Sequence, residues 1–98
     1  MQIVWTFTAR SYLDQLASEE KAKVVNAVER LSRGGRSSAL EQTKLLLGTK
    51  DLFSLRVGAE LRVLVRFEGE NLKIEDVVRR SQLDGLRRVE RLAQAHSV

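Results

Sequence analysis

The most regular alternation of apolar and polar positions lies in residues 52–67, LFSLRVGAELRVLVRF, and continues on both sides of a glycine. Period-two alternation interrupted by a short glycine-containing loop predicts a β-hairpin, because successive strand side chains point to opposite faces. Phe53, Leu55 and Val57 share one face of the first strand. Leu61, Val63, Val65 and Phe67 share one face of the second. Directly opposed residues also share a face, so parity sets the register. A three-residue loop, Gly58-Ala59-Glu60, opposes Val57 to Leu61 and Leu55 to Val63, which keeps the whole apolar set together. A two-residue loop opposes Leu55 to Arg62 and is rejected. The same register sets Arg56 across from Arg62 on the other face, with Arg66 further along the strand. Like charges opposed across a ladder destabilise it. Either an anion relieves the repulsion, or the face is simply solvated and has acidic neighbours.

The pattern before the hairpin predicts a short opening strand and a pair of helices. Residues 2–7 alternate, with Ile3, Trp5 and Phe7 on one face. Thr8 is the expected N-cap of a first helix, in which Ala9, Tyr12, Leu13, Leu16 and Ala17 recur at helical spacing. Ser18 is the expected cap of a second, with Glu19 and Glu20 in the first turn, where the helix dipole favours acid. Val24, Ala27, Val28 and Leu31 form its apolar stripe, and Gly34-Gly35 is expected to stop it. Two helices joined this closely form a helix hairpin, expected as a lid on one face of the sheet. Residues 37–43 read as a connector or as one helical turn, the latter because Ser38 and Glu41 have capping-box spacing.

After the hairpin, residues 68–71 form a turn and residues 72–78 a further strand. Pairing Phe67 with Leu72 sets Ile74 opposite Val65 and Lys73 opposite Arg66. It brings Glu75 close to Arg62 and Arg66, where it would neutralise part of the arginine row. Asp76 then falls on the apolar face, against the pattern. Arg79 and Arg80 lie just past the strand end. Ser81 or Asp84 is the expected cap of a last helix with Leu86, Val89, Leu92 and Ala93 on one side and Arg87, Arg88 and Arg91 on the other. The fold class is therefore α+β: a small, mainly antiparallel sheet with an N-terminal helix hairpin packed on one face.

Composition narrows the functional classes. At 98 residues, 43% apolar and 31% charged, the chain is expected to be one globular domain spanning residues 1–98. There is no cysteine, so disulfides and thiolate metal sites are excluded and a cytoplasmic setting is expected. The apolar runs are too short for a membrane span, and the first residues lack a signal-peptide pattern. The formal charge of +4 permits a nucleic-acid partner without requiring one. Residues 1–50 carry 8 basic and 5 acidic side chains and residues 51–98 carry 9 and 8, so any basic patch is assembled by folding. No phosphate-binding glycine loop is present, and no cofactor is expected. His96, the only histidine, has no ligand cluster around it, so no metal site is expected. Nucleophilic Ser-His-Asp or Cys-His sets are absent. What remains is guanidinium chemistry from Arg56, Arg62, Arg66 and Arg80, which suits bidentate contact with phosphate.

The runs Lys44-Leu45-Leu46-Leu47-Gly48, Leu52-Phe53-Ser54-Leu55-Arg56-Val57-Gly58 and Leu61-Arg62-Val63-Leu64-Val65, closing at Val77-Val78-Arg79-Arg80, resemble the RelE/ParE toxin superfamily. The opening Trp5-Thr6-Phe7-Thr8 and the helix pair are similar too, so the resemblance spans nearly the whole chain. It implies the toxin of a type II toxin–antitoxin pair, with a cognate antitoxin as partner. One branch of the family cuts messenger RNA on the ribosome without a metal: the ribose 2′-OH attacks the adjacent phosphate, and basic side chains assist. By that resemblance Arg62 matches the strand arginine that stabilises the phosphate. Arg80 matches the arginine at the end of the last strand, a phosphate contact or proton donor, and Arg56 matches a basic position on the preceding strand. Together they are the catalytic residues that the resemblance implies. The chain departs from that branch at Leu61 and Leu83, where an aromatic residue and a tyrosine are usual. It also has no lysine in the first hairpin strand, which leaves Lys44, Lys50 and Glu60 as candidates for the general base. A second branch poisons DNA gyrase by binding it, and a third possibility is a member that only binds its antitoxin.

Overall fold

The sheet is assembled around the hairpin that the alternation predicts. In the computed structural model, which describes residues 1–85, β3 (Phe53–Val57) and β4 (Leu61–Glu68) pair antiparallel with Leu55 opposite Val63, Arg56 opposite Arg62 and Val57 opposite Leu61. Gly58 opens the loop with φ of 64°, a conformation that side chains with a Cβ adopt at a cost. β5 (Asn71–Arg79) continues the meander, and β1 (Gln2–Trp5) adds to it in parallel. A two-residue strand, β2 (Lys44–Leu45), covers the other edge, giving the order β1-β5-β4-β3-β2. The alternation did not signal β2, because two residues carry no period.

α1 (Phe7–Gln15) and α2 (Ser18–Arg33) pack as a hairpin on one face of this sheet. Val24, Val28 and Leu31 of α2 and Ala9 and Leu13 of α1 meet Leu55, Val57, Leu61, Val63, Val65, Leu72, Ile74 and Val77 in one buried cluster. Phe53 and Phe67 meet edge to face at its rim, centroids 5.2 Å apart, as expected for diagonal neighbours on one face. Trp5 packs half-buried against the cluster beneath the Arg10 guanidinium.

Several boundaries differ from the sequence expectation. The opening strand ends at Trp5, and Phe7 begins the helix as a residue 88% exposed. Thr6, not Thr8, is the cap: its hydroxyl accepts from the Ala9 N–H at 3.1 Å and donates to the Glu75 carbonyl at 3.0 Å. That second bond ties the helix start to β5, which decides between two threonines of equal local propensity. Ser18 is the first residue of α2, and the cap position is Ala17, which makes no side-chain cap bond. Residues 37–43 are not a connector. α3 (Gly35–Gln42) follows α2 almost at once, with Gly35 at φ of 76° interrupting the helical path between the two. Ser38 lies inside α3, where its hydroxyl accepts from Gln42 Nε2 at 3.0 Å.

The Asp76 misfit has a physical cause. Val65 pairs with Ile74 but Leu64 pairs with Asp76, so Glu75 is an extra residue and β5 carries a β-bulge. Parity inverts there. Val77 moves to the helix-covered face, and Asp76 and Val78 move to the other. The carbonyl of the bulged Glu75 is the one captured by Thr6. Beyond β5 the last described element is α4 (Arg80–Gly85), which starts earlier than either expected cap. The Gln82 side chain accepts from the Arg79 N–H at 2.8 Å, the reciprocal half of a capping box. The expected apolar and basic faces of residues 86–93, and His96, lie outside the described residues.

Candidate functional site

The sheet face away from the helix hairpin is built by the polar parity of β3 and β4 and the inverted parity of β5. Opposed rows there are Lys44–Ser54–Leu64–Asp76 and Arg56–Arg62–Val78. The face is not simply a solvated polar surface. Leu52, Leu64 and Val78 form a second small buried cluster, with Leu46 and Leu83 packed against it. The off-parity Leu52 and Leu64 were the signals that point to it. Beside this cluster lies an open groove of about 490 Å³, lined by the 44–47 segment, Ser54, Arg56, Arg62 and Leu83.

Arg56 and Arg62 converge at the mouth of the groove. Arg56 Nε donates to the Gly58 carbonyl at 3.3 Å, and Arg62 Nη1 donates to the Gly58, Ala59 and Leu61 carbonyls at 3.4, 3.3 and 2.7 Å. One carbonyl oxygen thus accepts from both guanidinium groups and offsets part of their mutual repulsion. Neither arginine makes an ion pair among the described residues, so both retain charge and donors for an incoming anion. Lys44 is brought alongside because β2 sets it directly opposite Ser54.

Arg66 does not belong to this open set. Its side chain is 2% exposed and enclosed by Asp51, at 3.2 Å from Nε, and Glu75, at 3.1 Å from Nη1. Lys73 approaches the same Glu75 oxygen at 3.3 Å. Glu75 is therefore shared by Arg66 and Lys73, with Asp51 and Glu68 as their second partners, and leaves the Arg56–Arg62 pair uncompensated, contrary to the expectation that it serves Arg62. A charge this buried is tolerated because it is paired on two sides.

Two arginines meet where β5 gives way to α4. Arg79 is opposite Leu61 on the helix side, and its guanidinium grips Glu20 of α2 through two bonds of 3.1 Å. That bidentate contact holds the Glu20 carboxyl below its usual range and raises Arg79, mutually consistent directions. Arg80 follows as the first residue of α4 and is exposed. Its N–H donates to the Glu60 carbonyl at 2.7 Å, which seats the start of α4 against the hairpin loop. Arg80 does not line the groove, whereas Arg56 and Arg62 do. Of the three candidates for a general base, Lys44 lines the groove and Lys50 and Glu60 do not. Among the described residues no cluster of acidic, histidine or cysteine side chains could hold a metal, and no helix is long and apolar enough to cross a membrane.

No protein-family model matches this sequence, and no curated protein matches it. Solved structures do. The RelBE2 toxin–antitoxin complex from Mycobacterium tuberculosis includes a chain 30% identical to this one, with a TM-score of 0.66 over 81% of this chain and 96% of that one. The isolated RelE toxin from E. coli aligns with a TM-score of 0.66 at 13% identity, over 90% and 97% of the two chains. The ParDE system from P. aeruginosa aligns less closely, with a TM-score of 0.53 at 16% identity over 81% and 95%.

Proposed function

The chain belongs to the RelE/ParE toxin superfamily, and from that premise we propose that it is the toxin of a toxin–antitoxin pair that cleaves messenger RNA on the ribosome. The observation that carries the reading is the convergence of Arg56 and Arg62, without acidic partners among the described residues, at the mouth of a groove that Lys44 also lines. The closer alignment with RelE chains than with the ParE system favours the same branch. Its partner is a cognate antitoxin, the kind of partner present in the M. tuberculosis complex. That partner's acidic residues meet the uncompensated arginines, so the rim of the complex weakens with salt.

In the proposed reaction the 2′-oxygen of the substrate ribose bonds to the adjacent phosphorus and the P–O5′ bond breaks. Lys44, reacting as the neutral amine, takes the proton of the attacking hydroxyl and becomes the ammonium. Arg62, with Arg56 beside it, binds the phosphate oxygens as their negative charge grows. Arg80 heads α4 beside the loop and outside the groove lining; its role as phosphate contact or proton donor to the leaving oxygen is carried by the family resemblance and applies once RNA extends past the groove mouth. Leu61 and Leu83 provide no aromatic platform for a base, so the ribosome orients the substrate and free RNA is cut slowly.

The test is to add the purified chain to translating ribosomes and map messenger ends, with gyrase supercoiling assayed in parallel. Removing one transition-state donor costs about 10²–10³ in rate. Arg62→Ala and Arg80→Ala should each lose that much cleavage with little change in the unfolding midpoint. Arg62→Lys should recover little of it, because an ammonium lacks the planar fork. Supercoiling inhibition without messenger cleavage sends the chain to the gyrase branch.

A further inference from the structure

A second cationic groove, of about 550 Å³, lies on the helix side of the hairpin tip. Lys23, Asn26, Glu29, Arg30 and Arg33 of α2 form one wall, and Arg56 stands on the other. Glu29 is the only acid in the lining and is paired with Arg33 at 3.7 Å. Glu20, which also attracts Lys23, is already gripped by Arg79. Lys23, Arg30 and Arg56 therefore carry charge that no ion pair removes among the described residues. The lining offers charge and amide hydrogen bonds but no exposed large apolar anchor. Its occupant must be held by repeated anionic groups, not by buried side chains.

Arg56 lines both grooves. β2 pairs with β3 only at Phe53 and Ser54, so the edge of β3 from Leu55 to Val57 is uncovered. From this continuity we infer that the α2 groove is a second binding site for the phosphodiester backbone of single-stranded RNA, continuous through Arg56 with the groove of Arg62 and Lys44. The inference rests on the ribonuclease reading of the first groove and adds where the RNA goes next. The contact is with phosphates, so it adds affinity without base preference.

The test measures binding of a short fluorescent RNA with 2′-O-methyl sugars, which cannot be cut, to the full chain over a range of salt. A phosphate contact to a single strand contributes about 0.7 to the slope of log affinity against log salt. The Lys23→Gln, Arg30→Gln double variant should lower the slope by about 1.4, for every RNA sequence alike. Arg30→Lys should keep it. A control with the same loss of net charge elsewhere, Arg10→Gln with Arg36→Gln, should leave the slope within error. Unchanged circular dichroism and melting midpoints establish that each variant is folded. Equal losses in the groove variant and the control would reduce the effect to net charge and overturn the inference. An unchanged slope in the groove variant, with Arg62→Ala still blocking cleavage on ribosomes, overturns the second site and leaves the ribonuclease reading intact. If Arg62→Ala cleaves normally, the reading itself fails, and the continuous path fails with it. Weaker binding of polyglutamate to the groove variant, with RNA binding unchanged, assigns the groove to an acidic protein instead.

Discussion

The two faces of the sheet are made of the same strands and stabilised differently. The helix-covered face is a continuous aliphatic layer in which Val63, Val65, Leu72 and Ile74 have no exposure at all. The outer face has only Leu52, Leu64 and Val78 as a buried apolar patch, and next to it an ion cluster around the buried Arg66 and an open pair of arginines. One face therefore holds the fold by area. The other contributes little area and keeps its charges in two states, neutralised at Arg66 and available at Arg56 and Arg62. Burial alone separates these arginines: all three descend from one strand parity.

The largest effect should come from the ion cluster. Glu75→Ala leaves the Arg66 guanidinium buried with only the half-exposed Asp51; removing one partner of a buried pair costs about 3–5 kcal/mol, of which Asp51 offsets a part. Urea unfolding should register that loss, whereas replacing both partners by Met and Leu should come close to native stability. A small effect of Glu75→Ala would mean that the outer face is as solvated as its composition suggests. On the covered face, Val63→Ala opens a cavity and should cost about 1–3 kcal/mol in the same assay. At the hairpin tip that joins the faces, Gly58→Ala places a Cβ at a positive φ and should cost about 1–2 kcal/mol. That Cβ meets no atom within 4 Å, so the cost is conformational and not steric contact.

The smallest effect is a pH dependence at the Glu20–Arg79 bond. Because Glu20 is held below its ordinary value of 4.5, its contribution is present above that value and fades as pH falls through the folded value. Native and Glu20→Gln chains should differ in urea midpoint at neutral pH and converge in acid. Salt should shrink the neutral difference, since the pair is exposed.

Much of this architecture was legible where a period was long enough to count. The hairpin register, the Arg56–Arg62 opposition and the helix stripe all follow from parity or helical spacing over several residues. The bulge was visible only as a contradiction, an aspartate on an apolar face, because one extra residue leaves no period of its own. β2 and α3 were hidden for related reasons: the first is too short, and in the second a glycine pair that ordinarily ends a helix also begins one. The candidate site was half legible. Arg56 and Arg62 are brought together as their spacing implies, but the burial of Arg66 depends on Asp51, a loop residue whose contact with it no strand pattern encodes. Lys44 joins the groove through the same unheralded strand.

The shared Gly58 carbonyl has a consequence for how an anion binds. A free arginine side chain carries about 2 kcal/mol of rotamer entropy, and fastening two of them to one oxygen gives up part of that freedom during folding. Arg62 uses a single nitrogen for its three carbonyl contacts, leaving its Nε and second terminal nitrogen pointed at no described acceptor. A phosphate therefore meets a fork whose orientation is already chosen. Its binding should be accompanied by little ordering of the protein, and calorimetry should find a correspondingly small entropic penalty for capture at this corner.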